Sequence, residues 1–373
     1  MKTAGLYIHV PFCVQKCGYC DFYSETALEL KNRFLTVLPE EMRLYRGKFC
    51  AFDSLYIGGG TPSVLTAAEL EKIVENAGHA VDILPESEWT FEANPADLNI
   101  GYLQALRSIG FNRVNIGVQS FQDVILTLLG RRHTAQEAKR AIHDARAAGF
   151  ENIGLDLIYG IPGQTLNEWQ QTVSEALTFE PEHVSCYQLT LSDGTPLGKK
   201  LRDGDINLPD EESSLQFFLM TSERLEAAGY IHYEVSNYAR GMDFASRHNC
   251  KYWDHSPYLG LGPGAHSFFE NKRWWNHRSV VAYAHDLELG RKPMEGEEVL
   301  SFQDLILETF ALAMRTKAGL DLGRFSETYG LRLEKEKKDT FDLLEREGLV
   351  LLDHGYLKPT LRGMAVADSL ALI

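Results

Sequence analysis

Cys13, Cys17 and Cys20 fall within eight residues, in the stretch YIHVPFCVQKCGYCDFYS, at the spacing C-x3-C-x2-C. Three thiolates can hold three irons of a 4Fe–4S cluster and leave the fourth iron without a protein ligand. An iron with a vacant position can chelate a small molecule, pass it one electron and break a bond. The spacing differs from structural zinc patterns, which pair C-x2-C with a second Cys/His pair further on. A structural triplet of cysteines is the plain alternative. Gly18 gives the loop conformational latitude, and Pro11 stops the preceding extended run from continuing through it.

Three further groups of residues could do chemistry. Gly58-Gly59-Gly60-Thr61-Pro62 would let backbone atoms approach a ligand closely, although such loops also make ordinary turns. It lacks the Lys-Ser/Thr ending of a phosphate-binding loop. Glu92 carries a carboxylate able to accept hydrogen bonds from a ribose diol; taken alone, a solvated or ion-paired glutamate is the commoner case. The string His248-Asn249-Cys250-Lys251-Tyr252-Trp253 combines an imidazole, a common axial ligand of haem iron, with the flat apolar surfaces of Tyr252 and Trp253. Cys250 is an alternative soft ligand. A histidine beside an asparagine is more often a hydrogen-bonded structural residue, and His255, His266 and His277 read first as structural too.

Together these segments resemble the radical S-adenosylmethionine (SAM) superfamily, and within it the coproporphyrinogen III dehydrogenase-like group. The resemblance runs from Tyr7-Ile8-His9-Val10-Pro11-Phe12-Cys13 through Gly58–Pro62, Glu92-Ala93-Asn94-Pro95, Gly117-Val118-Gln119-Ser120 and Asp156-Leu157-Ile158-Tyr159-Gly160-Ile161-Pro162. It ends with H-N-x-x-Y-W and Gly260-Leu261-Gly262-Pro263-Gly264-Ala265-His266. The H-N-x-x-Y-W string is similar to that of HemW-type haem chaperones. The resemblance implies that the open iron takes the amino and carboxylate groups of SAM. It implies that Tyr19 contacts the adenine, that Gly59, Gly60 and Thr61 hold the SAM amino group, and that Glu92 binds the ribose. Tyr7, Gln119, Arg131 and Asp156 match SAM-lining positions, or a second SAM site. His248 is the candidate haem ligand, with Asn249, Tyr252 and Trp253 beside it. The dehydrogenases carry a fourth cysteine in a C-x-C arrangement where this chain has Phe22, and a longer N-terminal extension where only six residues precede Tyr7. Both departures favour the chaperone branch over oxidative decarboxylation. A porphyrin-modifying radical methyltransferase is a third reading.

These residues need a scaffold that brings them to one end. Short β-branched, apolar runs at 6–10, 54–57, 89–93, 113–118, 153–159 and 183–189 alternate with amphipathic stretches at 67–77, 99–109, 135–148 and 166–177. Strand–helix alternation implies a parallel sheet with right-handed crossovers. Six units predict an α/β fold, a partial (β/α)6 radical-SAM barrel. Barrels of this kind place chemistry at the C-terminal strand ends, where the cysteines, Gly58–Thr61, Glu92 and Gln119 fall; Asp156 lies within the fifth strand. Thr66 is an expected N-cap, and Gly110 and Gly149 are expected C-terminal glycines. The expected domains are the barrel over 1–190, a connecting, haem-associated region over 191–295 and a smaller α+β winged-helix-like unit over 296–373. In that last unit helices at 302–314, 322–329 and 334–347 precede a hairpin at 349–361. The polar stretch 203–212 reads as a surface loop, 215–227 as a helix, 230–269 as aromatic and loop-rich, and 290–299 as a charged separator.

The chain has 373 residues, 44% hydrophobic, with a formal net charge of −15. That charge disfavours a broad nucleic-acid surface and nonspecific adhesion to anionic lipid, leaving peripheral membrane contact open. No apolar run approaches the ~18 residues of a transmembrane helix, and the N-terminus lacks a secretory pattern. Six cysteines with three in one loop argue for reduced thiols and a cytoplasmic location; Cys50 and Cys186 are expected in the core. The combined reading is a cytoplasmic chaperone carrying a 4Fe–4S cluster, SAM and haem and delivering haem to acceptor proteins, respiratory ones foremost. Oxygen-independent coproporphyrinogen III dehydrogenase is the alternative.

Overall fold

Alternation along the first strand sets the architecture. In β1 (Ala4–Val10), Leu6, Ile8 and Val10 are fully buried on one face, while Tyr7 and His9 point to the other. The same two-sided pattern recurs in β2 (Phe52–Gly59), β3 (Ile83–Ala93), β4 (Arg113–Gln119), β5 (Ile153–Tyr159) and β6 (His183–Gln188). A computed structural model describes residues 2–372. In it β1 to β6 pair in sequence order, all parallel. Their outer faces pack on helices that include Lys31–Leu44, Ala67–Ala80, Ile100–Ile109, Ala135–Ala147 and Leu166–Thr178, forming the main core. Their inner faces are polar and line the barrel lumen. Three crossover helices start with reciprocal Thr-x-x-Glu capping boxes at Thr66/Glu69, Thr134/Glu137 and Thr165/Glu168. Gly110 and Gly149 end their helices with positive φ, as expected.

The structure extends this barrel in both directions. β7 (Ile231–Glu234) and β8 (Asn237–Ala239) add antiparallel strands beyond β6. On the other side β9 (Tyr258–Leu261) pairs parallel with β1, so a seventh parallel strand flanks the first. β10 (His266–Phe269), β11 (Lys272–Asn276) and β12 (Met294–Val299) follow antiparallel, giving one twelve-stranded sheet. Residues 191–295 thus contribute strands to the barrel sheet itself, and the charged stretch 290–299, expected to be a separator, holds an edge strand. The Glu41 carboxylate on the first crossover helix ties this added edge in place. It accepts hydrogen bonds from Gly262 N (2.8 Å), Asn276 Nδ2 (2.6 Å) and Tyr283 OH (2.6 Å).

The C-terminal residues have their own core, built on Phe310, Met314, Phe325, Phe341, Val350 and Leu357. Helices Phe302–Ala313, Leu322–Tyr329 and Lys338–Arg346 pack on β13 (Leu320–Asp321), β14 (Val350–Asp353) and β15 (Tyr356–Pro359), a winged-helix-like arrangement. The expected helix over 334–347 is broken into Leu333–Glu336 and Lys338–Arg346. Backbone bonds from Val235 N to Arg315 O and from Lys317 N to Tyr233 O join this unit to β7. Cys186 is buried as expected, but Cys50 is exposed, because it lies in the turn before β2 and not on it.

Candidate functional site

The loop after β1 is closed at its neck and pinned at its middle. Cys13 N donates to Glu25 O (2.9 Å) and Glu25 N to Pro11 O (2.7 Å). Gly18 N donates to Leu129 O (3.1 Å), and Leu197 N to Gly18 O (2.8 Å). Cys13, Cys17 and Cys20 all border one cavity of about 550 Å³ at the C-terminal strand ends. Cys13 Sγ lies 3.2 Å from Thr61 Oγ1, and Arg131 Nη1 donates to Cys17 Sγ (3.5 Å). Burial pushes the Cys20 thiol up, and its neighbours Cys17 and Cys13 add to the shift. Cys13, Cys17 and Cys20 carry free thiols, and among the described residues no three His, Cys, Asp or Glu side chains converge tightly enough for a single metal ion. Three soft donors spread around a cavity suit a cluster several ångströms wide, not a mononuclear site.

The wall opposite is shaped by absent side chains. A Cβ on Gly60 would stand 2.8 Å from Phe12 O and 3.1 Å from Cys13 Sγ, and one on Gly58 would meet Glu92 Oε2 at 2.8 Å. Gly59 has φ +114, a conformation that favours glycine. Glu92 accepts from Tyr56 OH (2.6 Å) and Gly59 N (3.1 Å), and burial raises its carboxyl to about 7. The β4–β5 register shifts between Ile116 and Gln119, and Gln119 takes a left-handed φ of 64°, which turns it into the cavity. Arg131 folds back to donate to Gly117 O (2.7 Å). Asn115 Nδ2 donates to Asp156 Oδ2 (2.7 Å). Asp156 Oδ1, Asn115 Oδ1 and Arg131 Nε are buried without a protein partner; buried polar atoms are normally paired, so these three fit a polar ligand.

The structure therefore brings the three cysteines, Tyr19, Gly59, Gly60 and Thr61 onto one cavity, with Glu92, Gln119, Arg131 and Asp156 on the same surface. Tyr7 lies one layer deeper, its hydroxyl 3.0 Å from His9 Nδ1. Asn115 and Tyr187, outside every motif quoted for the resemblance, also line the cavity, as does Gly117. The signal was present: Arg113, Asn115 and Gly117 alternate with Val114, Ile116 and Val118, marking an inward polar face on β4.

The H-N-x-x-Y-W string lies elsewhere. It forms the helix Arg247–Trp253 against the N-terminal ends of β1 to β3, at the opposite mouth of the barrel. His248 is 1% exposed; its Nδ1 lies 3.0 Å from Ser54 Oγ and its Nε2 2.9 Å from Tyr252 OH. Burial, then Lys251, lowers its pKa to about 3, so it is neutral with both nitrogens engaged. In this conformation it offers no nitrogen to an iron, a departure from the reading of His248 as haem ligand. Asn249 N donates to Ser246 Oγ in the helix cap, and Trp253 lies against the Arg315 guanidinium. His255 pairs with Glu308 and His277 with Asp286, which makes both structural.

The Radical SAM superfamily model matches residues 7–176, and the HemN C-terminal domain model matches residues 300–366. Heme chaperone HemW of Mycobacterium tuberculosis is 36% identical over 361 residues, covering 95% of this chain and 92% of the relative. The chain belongs to the HemW family. HemW of Bacillus subtilis is 34% identical over 355 residues, covering 94% and 93% of the two chains. Among solved structures, the Escherichia coli coproporphyrinogen III oxidase HemN superposes with a TM-score of 0.86 at 22% identity, covering 99% of this chain and 89% of that one. That likeness supports the barrel and C-terminal unit of this HemW-family chain. The three thiols on the cavity fit a 4Fe–4S cluster, and the unpaired polar atoms beside them fit a polar ligand.

Proposed function

We propose that this chain is a radical-SAM-type haem chaperone: it binds a 4Fe–4S cluster, SAM and haem, and passes haem to acceptor proteins, respiratory ones foremost, in the cytoplasm. The observation that carries the reading is near full-length similarity, at 33–36% identity, to HemW proteins of several bacteria. Among the described residues no helix is long and apolar enough to cross a membrane.

When bound, a cluster with an open iron supplies one electron and a chelation point for the SAM amino and carboxylate groups. In the proposed arrangement Cys13, Cys17 and Cys20 hold it, and Arg131, hydrogen-bonded to Cys17, offsets thiolate charge. Gly59, Gly60 and Thr61 offer backbone to the methionine end, and Glu92 accepts from a diol. Asp156 and Gln119 bound the remainder of the cavity.

The decisive experiment is anaerobic cluster reconstitution of the full chain, followed by parallel haem titration and assay for protoporphyrinogen formation. Saturable haem binding without decarboxylation is expected. Protoporphyrinogen formation would favour the dehydrogenase reading, which the placement of Gln119, Arg131 and Asp156 supports. Absence of a saturable haem site would overturn the chaperone reading.

A further inference from the structure

We propose that the H-N-x-x-Y-W helix braces the SAM site from the far mouth of the barrel, and that His248 is a positioning residue that sets Glu92 and the glycine wall from below. The inference rests on the reading of the cavity as the SAM site. It gives the motif a role that its burial permits.

The imidazole occupies a space that β1 leaves for it. A Cβ on Gly5 would stand 2.8 Å from His248 Nδ1, 2.9 Å from its Cε1 and 2.9 Å from Lys251 Cδ, so only glycine admits the helix this closely. The helix is fastened around that contact. The Glu88 carboxylate accepts from Arg247 N (3.2 Å) and His248 N (3.3 Å). Lys251 Nζ reaches Asp53 Oδ1 (2.7 Å) and Thr3 O (3.1 Å). With Ser54 and Tyr252 bonded to its two nitrogens, the His248 ring is fixed in both position and orientation.

Two chains of contacts rise from it. The His248 ring centroid lies 5.2 Å from that of Tyr56, and Tyr56 OH donates to Glu92 Oε1 at 2.6 Å. The other Glu92 oxygen accepts from Gly59 N. The His248 ring also lies 6.1 Å from Tyr7, whose hydroxyl is 3.0 Å from His9 Nδ1. The His9 ring crowds Gly59 so closely that a Cβ there would fall 2.6 Å from it. Both chains end on Gly59, at the surface where the nucleoside would lie. Interiors are close-packed, so a void at His248 would be felt through Tyr56 and Tyr7.

The test is SAM binding to the cluster-reconstituted full chain, measured by equilibrium dialysis with S-adenosylmethionine, alongside haem titration, iron content and circular dichroism. Tyr56→Phe should weaken SAM binding about tenfold, the scale of one lost hydrogen bond to a charged group, and His248→Ala, acting through Tyr56 and Tyr7, by a similar factor. Iron content and haem stoichiometry should stay at wild-type values. The double variant should bind no worse than the weaker single one, since both interrupt the same chain. His248→Gln, able to keep one of the two hydrogen bonds, should recover part of the loss. Tyr56→Phe removes one oxygen and leaves the ring, so it reports even where His248→Ala does not fold. Unchanged SAM affinity in Tyr56→Phe, or fully additive losses in the double variant, would overturn the proposal. Lost haem binding with unchanged SAM affinity in His248→Ala would overturn it in favour of direct ligation. A wild-type chain that binds no SAM would overturn the cavity reading and this inference together, whereas failure in the variants alone leaves the cavity reading standing.

Discussion

At the scale of single residues, the cysteine loop and the cavity wall make separate demands. Cys17 borders the cavity and receives the Arg131 hydrogen bond. Cys17→Ser is expected to abolish the broad visible absorption of the reconstituted cluster; unchanged iron and sulfide content would contradict the ligand assignment. Gly117 makes a finer demand, because a Cβ there would lie 3.0 Å from Gln119 Nε2 and 3.2 Å from Arg131 Nη2. Gly117→Ala should therefore move two flexible side-chain ends at a stability cost below about 1 kcal/mol, well short of core overpacking. It should still weaken SAM binding several-fold by equilibrium dialysis. A variant with wild-type affinity would show that neither side chain touches the ligand. Residue types at the site were legible where chemistry restricts them: thiols, glycines and a carboxylate announce themselves. His248 was not legible, because an imidazole that ligates and one that fills a lumen have the same sequence. Its hydrogen bonds to Ser54 and Tyr252 exist only in three dimensions. Cys50 misled for a related reason: the burial tendency of cysteine says nothing about a turn.

At the scale of elements, the six crossover strands were readable because each combines apolar residues facing the helices with polar ones facing the lumen. Strand β9 was not, since Tyr258–Leu261 is short and continues into a glycine-rich loop without alternation. The Arg247–Trp253 helix was read as a ligand string, yet its termini tie it to the barrel. Glu88 caps its first turn and faces the buried Arg113 guanidinium at 3.7 Å. Glu88→Ala would strip Arg113 of its counter-charge, a change that costs about 3–5 kcal/mol for a buried pair. Urea unfolding should show that loss as a lower midpoint. A midpoint within error of wild type would mean that the helix holds without this carboxylate.

At the scale of the molecule, Glu41 joins the first crossover helix to the loop after β9, to β11 and to the helix Val280–Glu288. Burial raises its carboxyl from 4.5 to about 7, against the lowering effect of its three donors. A carboxyl with a folded pKa above its unfolded value takes up a proton on folding between the two. Stability therefore falls as pH rises through that window, from about 4.5 to about 7, and is level above it. The size of this term is about 3 kcal/mol at 1.36 kcal/mol per pH unit. His9, His133 and His232, lowered to about 4 chiefly by burial, act in the opposite sense, losing stability as pH falls below 6.5. The comparison that isolates Glu41 is the stability of wild type minus that of Glu41→Gln, from urea unfolding between pH 4.5 and 8. That difference should fall by about 3 kcal/mol across the range, whatever its offset. A flat difference would show that Glu41 ionises as freely in the folded chain as in the unfolded one.

The parallel pairing of Gly5–Ile8 with Tyr258–Leu261 has a consequence for biosynthesis. The strand that carries the thiol loop is translated some 250 residues before the partner of one of its flanks. Until then it presents a bare row of amides and carbonyls, the kind of margin along which chains coalesce. A nascent polypeptide stalled before Tyr258 would expose that margin beside the three sulfurs of Cys13, Cys17 and Cys20.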